Sequence, residues 1–363
     1  MTRGPMLRFR YLTPFALLAL APLGGWLGGA WTYGAAAATI ICMPGLDFAL
    51  RDHDPRERSV GALTKWLPRI YILAQLSATA WMALIASRPE TSLFELVGLA
   101  SSAGLTTGVF GFVAAHAMIH SRDDRERFLG LAMFATTFYM HFHIAHLYGH
   151  HRRAATNEDP ASARLGEGLY AFLLRSVGGQ LREAWTFEAE RMRKRGRPVL
   201  GLGNRMPMYL ATEATLVIVL ALWNWRALAF IVATAVIAVA LLETFNYVAH
   251  YGLRRAIGRD GRIERLTSSH SWNSRRLIDS GALSNMGYHS DHHSHPSRPF
   301  GHLRSVPGAA ELPFGYATAL LAALVPPVWR QIMDKRANSA MATTSERIPN
   351  PQSEIRSSDF SIR

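Results

Sequence analysis

Residues 208–250 read MYLATEATLVIVLALWNWRALAFIVATAVIAVALLETFNYVAH. Two apolar runs flank one polar turn, Asn224-Trp225-Arg226. A helix needs about 20 residues to cross the hydrocarbon core of a bilayer. Each run is close to that length, so the segment reads as two membrane-spanning helices joined by a tight turn. The second run ends on a histidine, His250, in the sequence Asn-Tyr-Val-Ala-His-Tyr-Gly.

Working outward from this hairpin, further apolar runs cover Leu67 to Ser87 and Leu93 to His120, with Pro89, Glu90 and Thr91 as the turn between them. The stretch from Phe15 to Leu50 is far longer than a signal-peptide core of about 7–15 residues. Gly24, Gly25, Gly28, Gly29 and Pro44 break it, so two more spans are expected there, for about six in all. A charged loop, Arg51 to Lys65, follows. Phe128 to Ile144 is apolar but short and carries Thr136, Thr137, His141 and His143. It is expected to lie half-embedded, with both histidines as ordinary polar residues. An amphipathic helix is expected around Leu181 to Arg195. Leu312 to Trp329, interrupted by Pro313, Pro326 and Pro327, is expected to pack at the interface. Residues 334–363 are poor in apolar side chains and read as a disordered tail, which leaves 1–333 as one all-α membrane domain.

The bulk numbers agree. Hydrophobic residues make up 49% of the 363 residues and charged residues 18%, against about 25% charged in soluble domains. The net charge of +13 would suit a nucleic-acid binder if its arginines lined one face. Instead they crowd beside the apolar runs: Arg8 and Arg10; Arg51, Arg56 and Arg58; Arg191, Arg193, Arg195 and Arg197. That is the distribution of cytoplasmic loops in a membrane protein. With residues 1–10 in the cytoplasm, the segments 51–65, 121–206 and 251–310 share that side. The lone cysteine, Cys42, excludes an intrachain disulfide, an iron–sulfur cluster and a thiolate zinc site. It is expected to be a small buried hydrophobe.

Histidine is abundant instead, at fifteen residues. His116 and His120 are spaced i, i+4, which puts both on one helix face. His146, His150 and His151 combine an i, i+4 pair with its neighbour. His289, His292 and His293 offer i, i+3 and i, i+4 pairs. With His250 these make nine candidates on one side of the membrane, while His53 and His302 read as solvated loop residues. Ionisable side chains at membrane depth mark functional sites. Nine imidazoles are too many for one ion and about right for two. Neutral imidazole suits zinc, copper, iron and nickel, and it leaves the positive charge of the ions largely uncompensated, which favours anionic oxygen species and hence iron and O2. The first pair is no zinc-protease motif, because Ala117 stands where that motif needs a glutamate. A bis-histidine haem would be an odd use of such dense clusters.

Longer motifs carry a resemblance. HFHIAHLYGHHRRAATNEDPASAR (141–164), NYVAHYGL (246–253), HSWNS (270–274), HSDHHSHPSR (289–298) and Pro44-Gly45-Leu46-Asp47 are similar to segments of the membrane alkane 1-monooxygenase family, within the wider membrane fatty-acid desaturase and hydroxylase superfamily. The resemblance implies six membrane helices and two non-haem irons held by His116, His120, His146, His150, His151, His250, His289, His292 and His293. It also implies molecular oxygen as co-substrate, rubredoxin or a similar small electron donor, and a bacterial-type inner-membrane location with the site facing the cytoplasm at the end of a hydrophobic channel. Trp31, Trp66, Trp81 and Phe112 are candidates to line that channel.

The chain departs from the family pattern at Ala117, Ala145 and Ala249, where the family has glutamate. Carboxylates beside metal-bound histidines orient the rings and raise their basicity. Asp159, Glu158, Asp291, Glu243 and Asn246 are candidates to take over that role; Asn246, four residues before His250, shares its helix face. Hydroxylation of an alkane at its terminal carbon is the expected activity. Desaturation or hydroxylation of another lipid, a terpenoid or an alkylaromatic, and non-catalytic binding of a metal or hydrophobic ligand, stand beside it.

Overall fold

The computed structural model describes residues 10–50, 63–258 and 261–346. They form an all-α bundle with little β-structure: a pair of two-residue parallel strands, β1 (Trp272–Asn273) and β2 (Ala310–Glu311), and one isolated antiparallel bridge between Ile257 and Ile263. Most of the charged loop 51–65, with His53, lies outside the described residues.

Four helices are long and apolar enough to cross a membrane: Trp66–Ala86, Leu93–Ile119, Arg205–Trp223 and Trp225–His250. They match four of the six expected spans. The other two, expected in 15–50, form a hairpin of shorter helices, α1 (Thr13–Leu27) and α2 (34–49), which bends at Gly28. Gly28 sits at φ 73°, a conformation that glycine adopts without a Cβ clash. Cys42, in a π-helical turn of α2, is exposed, not buried. The apolar run around it turns some side chains outward, where lipid rather than protein surrounds them.

The spanning helices are numbered next. Helix α3 (Leu63–Ala86) is followed by α4 (Leu93–Ile119). Ser92 starts α4 with a capping box: its hydroxyl accepts from the Glu95 amide, and the Glu95 carboxylate accepts from the Ser92 amide. Two orphan amides of the first turn are thereby satisfied. Helix α5 (Asp124–Ala135) and a short irregular helix α6 (142–153) lead to α7 (Leu169–Lys194). The polar stretch predicted to hold an amphipathic helix around 181–195 is thus the second half of a longer one. Helices α8 (Arg205–Trp223) and α9 (Trp225–His250) form the hairpin read from the sequence. Asn224 caps α9 through its side chain and also donates to the Ser87 carbonyl, while Arg226 bonds Ala86 and Thr91 carbonyls. Both hairpin turns therefore meet at one end of the bundle, and the histidines gather at the other.

Three short helices, α10 (Leu277–Ala282), α11 (His289–Ser294) and α12 (Tyr316–Ala323), precede α13 (Pro326–Glu346). Helix α13 runs through the boundary at 334 where a disordered tail was expected. Trp329, Met333 and Ala337 are its buried face, packed with Tyr247 and Tyr251; spaced four apart, they form one stripe. Residues 347–363 lie outside the described residues. The segment 128–144 breaks after Ala135, and His141 and His143 are buried rather than interfacial.

Helices α4 and α9 cross closely because small residues permit it. A Cβ on Gly104 would sit 2.6 Å from Ile237 Cβ, and one on Gly108 would sit 2.9 Å from Ala238 Cα. This Gly-x-x-x-Gly crossing replaces hydrophobic drive, which is weak between helices in lipid, with close packing. The outer surface is correspondingly apolar: Leu73, Leu222 and Val236 are exposed, as a lipid-facing belt requires. The substitution Gly104→Val should force the two helices apart and cost about 1–3 kcal/mol. A lowered midpoint in thermal unfolding of the detergent-solubilised protein is the expected result; an unchanged midpoint would show that the crossing is loose.

Candidate metal centre

The nine candidate histidines fall into two groups. His116, His120, His146, His151 and His292 form one; His150, His250, His289 and His293 form the other. Within each group the ligand-capable nitrogens all lie within 4.8 Å of one another. The groups adjoin: the rings of His151 and His293 have centroids 4.7 Å apart.

Local helix geometry decides this partition. His116 and His120 come from the end of α4 at ordinary i, i+4 spacing, and His289 and His293 from α11 in the same way. The segment Ala145–His150 is instead a π-helical turn. Its i→i+5 pattern aligns His146 with His151, whose Nε2 atoms are 3.0 Å apart. His150 then turns toward the other group. The i, i+4 pairing of His146 with His150 expected from the sequence is therefore not the one that shares a group.

Nε2 atoms point inward in both groups. Separations are 3.3 Å for His116–His120, 3.1 Å for His120–His146, 3.2 Å for His120–His151 and 3.2 Å for His151–His292. In the second group they are 3.2 Å for His250–His289 and 3.0 Å for His289–His293. Two nitrogens at roughly 2.1 Å from a shared ion stand about 3.0–3.4 Å apart for right-angle to tetrahedral placement. The observed spacing fits that requirement, with His116–His146 tighter at 2.6 Å. Burial pushes His120, His146, His151, His289, His292 and His293 well below the ordinary histidine range, and the neighbouring histidines push the same way. Neutral imidazole is the form that binds metal.

Two rings are held from behind. His150 Nδ1 donates to Asp159 Oδ2 at 2.8 Å, and His250 Nδ1 donates to the His270 carbonyl at 3.2 Å. Both bonds put the proton on Nδ1 and leave Nε2 free for an ion. Burial opposes the charge of Asp159, yet His150 and Ser162 hold its carboxyl down to about 2. Of the expected supporting residues, Asp159 thus meets a site histidine. Asp291 turns away to Arg298, the Arg304 amide and His295. Glu158 is exposed. Glu243 joins Tyr139, Ser176 and Gln180, and Asn246 bonds Glu243 rather than His250. The His270 carbonyl was not foreseen; a backbone acceptor leaves no side-chain signature, although HSWNS marked the segment. His143 bonds Tyr209, and His302 is exposed as expected.

An apolar cavity opens onto both groups. Its wall includes Phe112, Val113, Leu241, Phe245 and Asn246, and it reaches His116, His146 and His289. A second cavity shares Val109, Leu241, Leu283 and Leu320 with it and continues toward Ile40 and Met43 of α2. Of the four aromatic candidates, Phe112 lines the cavity, whereas Trp31, Trp66 and Trp81 are exposed on the outer surface. A polar cleft approaches His116, His120 and His292 from another side, past Ser121, Glu126 and Arg298.

Residues 92–330 match the fatty acid desaturase family. An alkane 1-monooxygenase of Pseudomonas aeruginosa is 38% identical over 71% of this chain and 68% of its own length. The chain belongs to this family, in its alkane 1-monooxygenase branch. An alkane 1-monooxygenase of Acinetobacter baylyi is 36% identical over 74% of the chain, which spans 66% of that relative. The hydroxylase component of a xylene/toluene monooxygenase of Pseudomonas putida is 27% identical over 90% of the chain and 87% of its own length. Against the family pattern, Ala145 and Ala249 are buried, and Ala117 lines the polar cleft beside His116 and His120.

Removal of the support behind His150 tests the site without a substrate. Asp159→Ala should weaken metal retention by about 10–100-fold in chelator competition, with the helical content unchanged. Equal retention would show that the ring needs no anchor.

Proposed function

We propose that this protein is a non-haem di-iron monooxygenase that hydroxylates a linear alkane at its terminal carbon. The observation that carries the reading is the apolar cavity that ends on histidines of both groups. Apart from the histidines and Asn246 its walls are apolar, which suits a hydrocarbon chain. The continuation toward α2 gives a long substrate a path from the lipid side.

His116, His120, His146, His151 and His292 would hold one iron, and His150, His250, His289 and His293 the other. When bound, the irons supply the activation of O2 by two electrons. The overall change is R–H + O2 + 2 e⁻ + 2 H⁺ → R–OH + H2O. The protein's own part is to keep the imidazoles neutral and aimed, through burial, Asp159 and the His270 carbonyl, and to hold the chain end beside them. Phe112, Val113 and Leu241 shape that end of the cavity. The electrons come from an external donor, rubredoxin or a similar small iron–sulfur protein, because one cysteine cannot hold a cluster. The polar cleft offers the aqueous side of the centre to it. Arginine-rich segments at the histidine end favour a cytoplasm-facing site in a bacterial inner membrane.

Iron content per chain of the purified protein, with Mössbauer spectra after reduction and oxygen exposure, tests the metal assignment. About two irons that oxidise, together with O2-dependent formation of a primary alcohol, are expected; protein that binds little iron when iron is supplied would refute it. The likeness to a xylene/toluene hydroxylase component makes toluene the comparison substrate, and faster turnover of toluene than of octane would favour the alkylaromatic reading. Leu241→Trp, at the junction of the two cavities, should keep the iron and lower turnover of long alkanes by about 10-fold or more.

A further inference from the structure

Glu243 is the only acidic residue of α9, and it is completely buried. A carboxyl group inside a membrane helix is costly and marks a function by default. It meets no site histidine. Its Oε1 accepts from Tyr139 at 2.9 Å, and its Oε2 accepts from Ser176 at 2.5 Å and from Gln180 at 2.9 Å. Residues of α7, α9 and the 136–141 segment are thereby tied together. The fourth member is Asn246, one turn along α9, whose Nδ2 lies 3.4 Å from Glu243 Oε1.

Asn246 faces the other way as well. Among the described residues it is the one polar side chain besides histidine in the wall of the apolar cavity. A carboxamide in an apolar wall costs free energy unless its polar atoms are used. The contact with Glu243 fixes which atom is available. Glu243 Oε1 already accepts from Tyr139, so an amide N–H suits it better than a carbonyl oxygen and favours one orientation of the amide. Nδ2 stays with Glu243, and Oδ1 is left as an acceptor in a cavity that also reaches His116, His146 and His289.

An alkane has nothing to offer that acceptor, but an alcohol has. We propose that Asn246 Oδ1 accepts a hydrogen bond from the hydroxyl group of the alcohol, and that Glu243 is the positioning residue that sets the amide for it. The proposal rests on the cavity being the hydroxylase's substrate site. It makes the cavity a better receptor for a primary alcohol than for the alkane from which it comes, at the end nearest the histidines. Product then competes with substrate through one polar contact, and the newly made C–O group is held where it forms.

The test compares three ligands of one length: the alkane, the 1-alcohol and the methyl ether of that alcohol. Binding is measured on the full-length wild-type protein in detergent by displacement of an apolar fluorescent probe, with iron present and absent. One neutral hydrogen bond is worth about 0.5–1.5 kcal/mol net, so the alcohol should bind about 3- to 10-fold tighter than the ether, which has no O–H. Asn246→Leu should abolish that preference, read as the ratio of alcohol to ether affinity within the one variant. Glu243→Gln, which lets the amide turn over, should reduce the preference without loss of iron. Ether and alcohol binding equally to the wild-type protein overturns the proposal, and this arm needs no variant to fold. An alcohol preference that survives Asn246→Leu overturns it too. If alkane, alcohol and ether all fail to displace the probe, the cavity is not the substrate site, and the monooxygenase reading itself loses its support.

Discussion

Nine imidazole nitrogens aimed at two small volumes are the constraint on which the rest of this structure depends. Lone pairs brought within about 3 Å of one another repel, and each ring gives up its contact with water. An ion at each focus reverses the sign of that interaction. The surrounding helices must hold the rings against their repulsion, and much of the architecture does this. The ends of α4 and α9, the irregular helix α6 and the short helix α11 all deliver histidines to one end of the bundle. The opposite end is locked by Asn224 and Arg226 against the turn after α3.

The two groups differ in how their rings are supported. The four-histidine group has Asp159 behind His150 and a backbone carbonyl behind His250. In the five-histidine group the Nδ1 atoms of His146 and His151 are buried without a hydrogen-bond partner in the protein, and alanines 117 and 145 stand next to His116 and His146. The Nδ1 atoms of His289 and His293 in the four-histidine group are likewise without a partner, so hydrogen bonds hold two of its four rings, and aromatic packing helps in both groups: Phe142 stacks on His146 with ring centroids 4.7 Å apart, and Phe245 lies edge-on to His289 at 5.4 Å. A chain that lacks the usual carboxylates therefore still presents nine converging nitrogens, held by other means.

The centre is approached both by an apolar cavity and by a more polar cleft. The Gly104–Gly108 crossing lets α4 and α9 approach closely, and Gly108 itself lines the apolar cavity. The polar cleft lies between the end of α4 and the segment 296–303, and cavity and cleft meet at His116 and Met286.

The sequence by itself determined the class of fold and four of the spans, and it named the nine candidate histidines that the bundle gathers at one end. Long apolar runs have one stable solution in lipid, because every backbone polar group must bond within its own helix, and histidine clusters at helical spacing are rare outside metal sites. It could not determine how nine histidines divide into five and four. That depends on whether 145–150 winds as an α- or a π-helix, and one residue per turn of difference carries His150 from one group to the other. Nor could it separate Asp159, which meets one of the nine histidines, from Asp291 and Glu243, which do not; spacing along a chain says nothing about approach between segments. Helix α13 past residue 334 was hidden for the same reason. Its stripe of Trp329, Met333 and Ala337 is too sparse to announce a helix, and only packing against Tyr247 and Tyr251 supplies the apolar surface that holds it.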